Sequence, residues 1–454
     1  DSERWKRTSR AVLSVHTDRS DTLRASQSVK ERRDLTQIAT RILIEMAVCT
    51  CPSRGGRKVT ESDTDYLLAQ ITVLIGAASR SDALRAGCTE PSISISALGE
   101  FKIGEEVMEL MHEYLTVHYE QIHGKDVLGY EQFFEARPGG TKTDVEVFGS
   151  EFVDAFSEEY GISPQSLGKL GVALCENAIE AKKLVIKSTH EEFAVLLNNS
   201  DLGVPQIDAL YNNFVLHPRT RWDSAEKPFR SKDWWPWRFR RRLSMMTRPI
   251  INLGADGVMY APAFCEDSFR HVVMEAYTGG AETEYFHSQR MKAYVGSSNA
   301  RRGLAFNKAV ADRLRDLGFN VQTEVEMKRF GADPSTATGD IDVLAWNNEV
   351  ALICECKELN FARTLGEVAE QLSRFRGVAN DELTKHLRRV AWFTAHPPAL
   401  SAFTKLSELP IRSLLITSKT VPMQFAKHAL VEVLTINELT IEKLKTLTRS
   451  AAES

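Results

Sequence analysis

Long apolar runs are missing from this sequence. No stretch approaches the roughly 18 apolar residues that a membrane-spanning helix needs, and no charged-then-apolar segment opens the chain. Cysteine is scarce and odd in number, seven in 454 residues. That argues against a disulfide framework and for a reducing compartment, so a cytoplasmic location is expected. Two Cys-x-Cys pairs, Cys49/Cys51 and Cys354/Cys356, lack the two-residue spacing of a zinc knuckle, and no His-x-x-x-His partner lies near them. An excess of either charge is absent too: 57 Lys+Arg against 61 Asp+Glu leave a formal net charge of -4. Any contact with nucleic acid must therefore come from local basic patches, because phosphate neutralisation is what drives such binding. Phosphate-loop, Gly-x-Ser-x-Gly and His-Glu-x-x-His motifs are also absent, which removes the commonest signatures of nucleotide, serine and zinc hydrolases.

What is present divides along the chain. A length of 454 residues exceeds a single core and predicts two or three domains. Residues 1–30 are polar, rich in Ser, Arg and Asp, and read as a poorly ordered lead-in. Residues 31–217 read as mainly helical, with Tyr66, Leu67, Ile71 and Ile75, then Val107, Leu110, Met111 and Leu115, at helical spacing. A connecting segment follows over 218–289. It holds Trp234, Trp235 and Trp237 beside Arg238, Arg240, Arg241 and Arg242, with short strands over 249–253 and 258–261. Arginines beside aromatics can hold phosphates and stack bases. Equally, the tryptophans can be core and the arginines paired with acids. Residues 290–454 alternate helix and strand. A helix over 303–317 is closed by Gly318, then come a strand at 321–325, a hairpin over 340–357, a helix over 364–375, and strands at 390–394, 411–416 and 430–434. That alternation predicts an α/β domain around a mixed central sheet behind a helical N-terminal region.

The hairpin carries the chemistry. Alternate residues of a strand share a face, which groups Asp340 with Asp342 and Glu355 with Lys357, and turns Cys354 and Cys356 inward as small buried hydrophobes. With Asn347-Asn348 as a two-residue turn, Asp342 faces Ile353 and Asp340 faces Glu355. Asp342 and Glu355 are then diagonal neighbours, roughly 7–8 Å apart along the backbone. Two carboxylates so placed suit one hard cation such as Mg2+, which keeps several waters and can activate one of them against a phosphodiester. Lys357 can orient that water or a phosphate oxygen. A solvated charged face is the plainer reading of such a pattern. Against it, Ile341, Val343, Leu344, Leu352 and Ile353 mark a buried sheet, where charges need partners or a metal.

A leading helix, an Asp, a Glu-x-Lys pair on the next strand and a helix bearing Gln371 follow in that order. In this the segment resembles the PD-(D/E)xK superfamily of nucleases, especially its Mrr-type restriction and Holliday-junction-resolvase-like branch. The resemblance covers about residues 301–377, with looser support to about 445. It implies a restriction-endonuclease-like domain in which Asp342 and Glu355, assisted by Asp340, hold Mg2+ or Mn2+. Lys357 then acts on the nucleophile or phosphate, with Gln371 in support. Members often carry a Glu on the leading helix where this chain has Asn307, so a second ion would be held less firmly unless Glu324 or Asp340 substitutes, and a one-metal mechanism is expected. Arg301 and Arg302, just ahead of that helix, are candidates for backbone contact with DNA. The expected function is metal-dependent DNA hydrolysis in restriction, repair or phage defence, regulated or targeted by the N-terminal region. Cutting of both strands would favour a homodimer. The rival expectations are a non-catalytic nucleic-acid-binding or scaffolding module and a toxin-like ribonuclease.

Overall fold

The computed structural model describes residues 27–51, 58–86, 93–95, 101–103, 142–200, 202–224, 227–238, 240–333, 339–360, 362, 365–377, 381–407, 409–420 and 431–449. Most of the polar lead-in over 1–30 lies outside them, as does the apolar pattern at Val107, Leu110, Met111 and Leu115. Among the described residues no helix is long and apolar enough to cross a membrane. The chain divides into two units, one drawn from residues 1–79 and 124–298, the other from 80–123 and 299–454.

In the first unit, buried Ala39 and Ile42 of helix α1 (Gln27–Thr50) cluster with Ile71 and Ile75 of α2 (Glu61–Ala86). Between α2 and the helices that follow, β1 (Ile93–Ile95) pairs antiparallel with β2 (Phe101–Ile103), in the range of the other unit. Helices α3 (Asp144–Phe148), α4 (Ser150–Tyr160) and α5 (Pro164–Ala181) come next. A capping box at Thr143/Glu146 starts α3, and Ser163 with Pro164 at the first position starts α5. Leu167, Leu170 and Leu174 recur at helical spacing and are fully buried, in one core with Phe152, Phe156, Phe214 and Phe269. Strands β3 (Ile186–Ser188), β4 (Val215–Leu216), β5 (Ile250–Asn252) and β6 (Val258–Tyr260) form a mixed sheet ordered β3-β6-β5-β4. Only β4/β5 is parallel. The helical region and the connecting segment thus share a sheet, which their separate sequence patterns do not announce. Helices α6 (His190–Asn199), α7 (Val204–Phe214), α8 (Ser231–Trp234) and α9 (Pro262–Tyr277) also belong to this unit.

The second unit is built on a five-stranded mixed sheet ordered β11-β10-β9-β8-β7. Its strands are β7 (Asn320–Glu326), β8 (Asp340–Trp346), β9 (Ala351–Lys357), β10 (Ile411–Thr417) and β11 (Glu432–Thr435). The β7/β8 and β8/β9 pairs are antiparallel, and β9/β10 and β10/β11 are parallel. On one face, Phe306, Val310, Ala311 and Leu314 of α10 (Gln289–Asp316) pack with Val343, Leu352, Cys354 and Cys356. Each large apolar side chain so buried contributes about 1.5–3 kcal/mol. The other face, with Leu344 and Ile353, is covered by Phe393 of α12 (Glu382–Ala395) and Leu400 of α13 (Pro397–Thr404). Helix α11 (Leu365–Ser373) lies between β9 and α12 in the chain, and α14 (Ile441–Arg449) comes last.

Two expectations need correction here. The leading helix starts at Gln289 rather than near 303. The strand read at 390–394 is the C-terminal part of α12. Asp381 caps that helix by accepting from the Thr384 N–H at 2.7 Å, and Leu383, His386, Arg389 and Phe393 form its buried stripe, so helical period outweighs β-branched content.

Candidate functional site

The hairpin turn sets the geometry. Asn347 closes it by accepting, through its side-chain oxygen, from the N–H groups of Glu349 and Val350 at 2.8 and 2.9 Å. Val350 is buried and stays in the loop, so the turn has four residues and not two, and Trp346 pairs with Ala351. The register is therefore offset by two from the expected one. Leu344 faces Ile353 and Val343 faces Cys354, and continuing that register sets Asp342 directly opposite Glu355. The expected pairing of Asp342 with Ile353 is thereby replaced.

At Asp342 the ladder breaks on both sides. Pairing of β8 with β9 stops at Val343/Cys354, and the Asp342 carboxylate itself accepts from the Cys356 N–H at 2.7 Å. Towards β7, the register passes from Thr323/Val343 to Val325/Ile341 and skips Glu324, whose φ is +51°. A left-handed glutamate inside a strand is strained by about 1 kcal/mol or more, and here its side chain accepts from Asn307 Nδ2 at 2.6 Å. The irregularity also disturbs alternation. Ile341 packs with Val325 and Phe393, while Val343 packs with Phe306 on the opposite face. Ile341 and Val343 thus do not share a face as strict alternation requires. The pairing resumes in the same register beyond the gap, so the break is a local kink at Glu324 and Asp342 and not an inserted residue. Burial, and next the charge of Glu355, push its pKa up to about 6.

Glu355 sits in the central strand, 4 % exposed. One carboxylate oxygen lies 2.9 Å from Lys357 Nζ and the other 2.9 Å from the Arg389 guanidinium. Lys357 also reaches Glu382 at 3.0 Å. Burial alone would weaken the Lys357 ammonium, but Glu355, Glu382 and Asp342 outweigh it and hold its pKa above the ordinary lysine value. Lys357 is therefore a fixed cation at neutral pH and not a proton acceptor. Burial likewise works against ionised Glu382, and the charges of Lys357 and Arg374 overcome it to hold its carboxyl below the usual range. His386 is pushed down to about 4, chiefly by burial, so it is neutral where its Nδ1 stands 3.8 Å from Glu355 and its Nε2 2.8 Å from Ser413 Oγ. Glu382, His386 and Arg389 were missed in the sequence. Their spacing of four and three residues along one helical stripe was the available signal, hidden by reading a strand at 390–394.

The remaining expected residues fall in several places. Asp340 is exposed at the start of β8, paired in register with Glu326. Among the described residues no three acidic, histidine or cysteine side chains converge on a cation-sized space, so Asp340 does not complete a triad with Asp342 and Glu355. Gln371 donates through Nε2 to the Asn360 carbonyl at 2.6 Å, and Arg302 donates to the Asn360 side chain at 2.9 Å. Both grip the loop that follows Lys357. Gln371 Oε1 is buried with no protein donor among the described residues. Arg301 is exposed.

The tryptophan–arginine cluster takes the plainer of its two readings where the arginines are buried. Arg241 and Arg242 are 4 % and 8 % exposed. Arg241 pairs with Glu45, Arg242 meets His287 and lies 5.2 Å over the Tyr285 ring, and Arg240 pairs with Glu275 at 3.0 Å. Arg238 lies 5.7 Å from the centre of the Trp235 ring. Guanidinium groups committed to internal partners are not available to phosphates, so the expected nucleic-acid contact by Arg240, Arg241 and Arg242 is replaced by a structural role.

The donor chemistry of Asp342 and Glu355 fits one hard divalent ion. Both are carboxylates on adjacent strands, and burial first and the Glu355 charge second raise the proton affinity of Asp342. The family model described as Anti-phage protein Upx-like matches residues 1–439. No curated protein and no solved structure matches the chain.

Proposed function

The chain belongs to the Upx-like family of anti-phage proteins, and on that premise we propose that its part in phage defence is metal-dependent hydrolysis of DNA phosphodiester bonds by a PD-(D/E)xK-like centre. The observation that carries this reading is the meeting of Asp342, Glu355 and Lys357 where β8 and β9 part. Asp342 and Glu355 would hold Mg2+ or Mn2+, which supplies Lewis acidity and charge compensation at the attacked phosphate. Lys357, kept protonated by its acidic neighbours, holds a phosphate oxygen or the attacking water by charge and hydrogen bonding. Glu382 fixes the direction of that ammonium from the far side. Gln371 and Arg302 steady the loop leaving β9, so the end of the strand keeps its place.

The experiment is plasmid cleavage by wild type and Lys357→Ala in Mg2+, Mn2+ and EDTA, beside plating of phage on cells carrying each. The variant is expected to lose cleavage by at least about 100-fold, in line with removal of a charge that stabilises the transition state, and to lose protection at equal protein level. Undiminished cutting by Lys357→Ala overturns the assignment. A second reading is favoured by one observation, that both oxygens of Glu355 already face cations of the chain. It makes the fold a non-catalytic module, and it predicts no cleavage in any metal while protection survives Lys357→Ala. Matched DNA and RNA substrates in the same assay separate the deoxyribonuclease from a ribonuclease.

A further inference from the structure

Glu355 is ion-paired through both oxygens, to Lys357 and to Arg389, whereas Asp342 feels those two cations only at longer range. The Arg389 guanidinium lies 2.9 Å from one Glu355 oxygen, with side-chain exposures of 7 % and 6 %. A second guanidinium nitrogen donates to the carbonyl of Asp340, so Arg389 ties the start of β8 to the end of β9. Asp342, on the adjacent strand, accepts from the Cys356 N–H at 2.7 Å. A carboxylate left buried and unpaired is strongly destabilising, so some cation must stand on Glu355 whether or not a divalent ion is bound.

We propose that Arg389 is a positioning residue that stands in for the divalent ion on Glu355 and is exchanged for it on metal binding. This rests on the metal site of the preceding reading. Two features make the exchange feasible. Arginine does not lose its proton in proteins, so it can vacate the carboxylate only by moving, and its other partners, the carbonyls of Asp340 and Lys385, are neutral. Lys357 holds a second carboxylate, Glu382, at 3.0 Å and stays paired when Glu355 turns to another cation. Arg389 is then a built-in competitor. It stabilises the metal-free fold and lowers metal affinity by the free energy needed to displace it. A residue that only braced the site would do the reverse, since its removal would loosen the ligands.

The test is Mn2+ binding to the full chain after dialysis against EDTA, read by the electron paramagnetic resonance of free Mn2+, with thermal unfolding followed in parallel. Arg389→Met is expected to bind Mn2+ on the order of ten-fold more tightly than wild type. It should unfold at lower temperature without metal and gain more from Mn2+. Unchanged or weaker Mn2+ binding by Arg389→Met overturns the proposal. Should that variant fail to fold, Glu355→Gln with and without Arg389→Met decides, because the neutral side chain removes the unpaired charge. Equal Mn2+ affinity in the two supports the exchange, and a difference overturns it. Asp342→Asn separates the layers. Loss of Mn2+ binding there with no gain in Arg389→Met sinks the exchange and leaves the metal site standing, while unaltered binding in Asp342→Asn removes both.

Discussion

Asp342 sets the pH response of the site. Its pKa stands at about 6 in the folded chain, from burial first and the Glu355 charge second, against about 3.9 in an unfolded one. The folded state therefore binds this proton more tightly. Between about pH 4 and pH 6 the residue's contribution makes stability fall as pH rises, and above pH 6 the ionised form remains at a disadvantage unless a cation joins it. Asp342→Asn is accordingly expected to be more stable than wild type in EDTA at pH 7, with the gap closing by pH 4. Denaturant unfolding at the two pH values checks this, and an Asn variant less stable at pH 7 counts against it. A proton and a metal compete for the same oxygens, so Mn2+ affinity should drop about ten-fold for each pH unit below 6.

The β7–β8–β9 ribbon carries the candidate site, and its ladder breaks beside Asp342. Glu324 takes a left-handed backbone where β8 turns Asp342 inward, and Asn307 of α10 holds the glutamate there. Asn307→Ala is expected to cost about 1 kcal/mol by leaving that partly buried contact unmade and to lower cleavage. Unfolding free energy against residual activity checks both, and a fully active variant with lost stability would make the contact structural only. Much of this ribbon was legible in the sequence. The strand pair, the cysteines turned to the core and the Glu355/Lys357 face all follow from alternation. Two things did not. Asn347 bonds its own loop instead of entering a two-residue turn, which moved the register by two. The break at Glu324 depends on a long-range partner on α10 that no local pattern encodes. The layer contributed by α12 was hidden for a different reason, since Val390, Trp392 and Phe393 suit a strand locally and only the stripe from Leu383 onward shows the helix.

Across the whole molecule, the arginine-rich segment that invites a nucleic-acid reading is internal architecture of the first unit. Glu45 accepts from the Met245 N–H at 2.7 Å and pairs with Arg241, both side chains 5 % exposed. Glu45→Ala strands a buried guanidinium and is expected to cost about 3–5 kcal/mol. Glu45→Gln, which keeps a hydrogen bond, should cost less. Thermal melts rank the two, and equal losses would show that the charge is immaterial. Local density of arginine and tryptophan misled because sequence spacing does not reveal that the acidic partner of Arg241 is Glu45, 196 positions away. Cleavage of both strands by one centre per chain would favour a pair of chains, and light scattering during double-strand cutting tests it.

The parallel pairing of β9 with β10 has a consequence for biosynthesis. During translation the strand bearing Glu355 and Lys357 emerges well before residues 411–417, which cover its second edge. Until then it has a neighbour on one side only, and α12, though already made, lacks the Ser413 hydroxyl that anchors His386. Such non-local closure is slow compared with local folding. A nascent or prematurely halted chain ending before β10 therefore carries Glu355 and Lys357 without the framework that aligns them. The order of synthesis thus leaves the site unformed until its last supporting strand is in place.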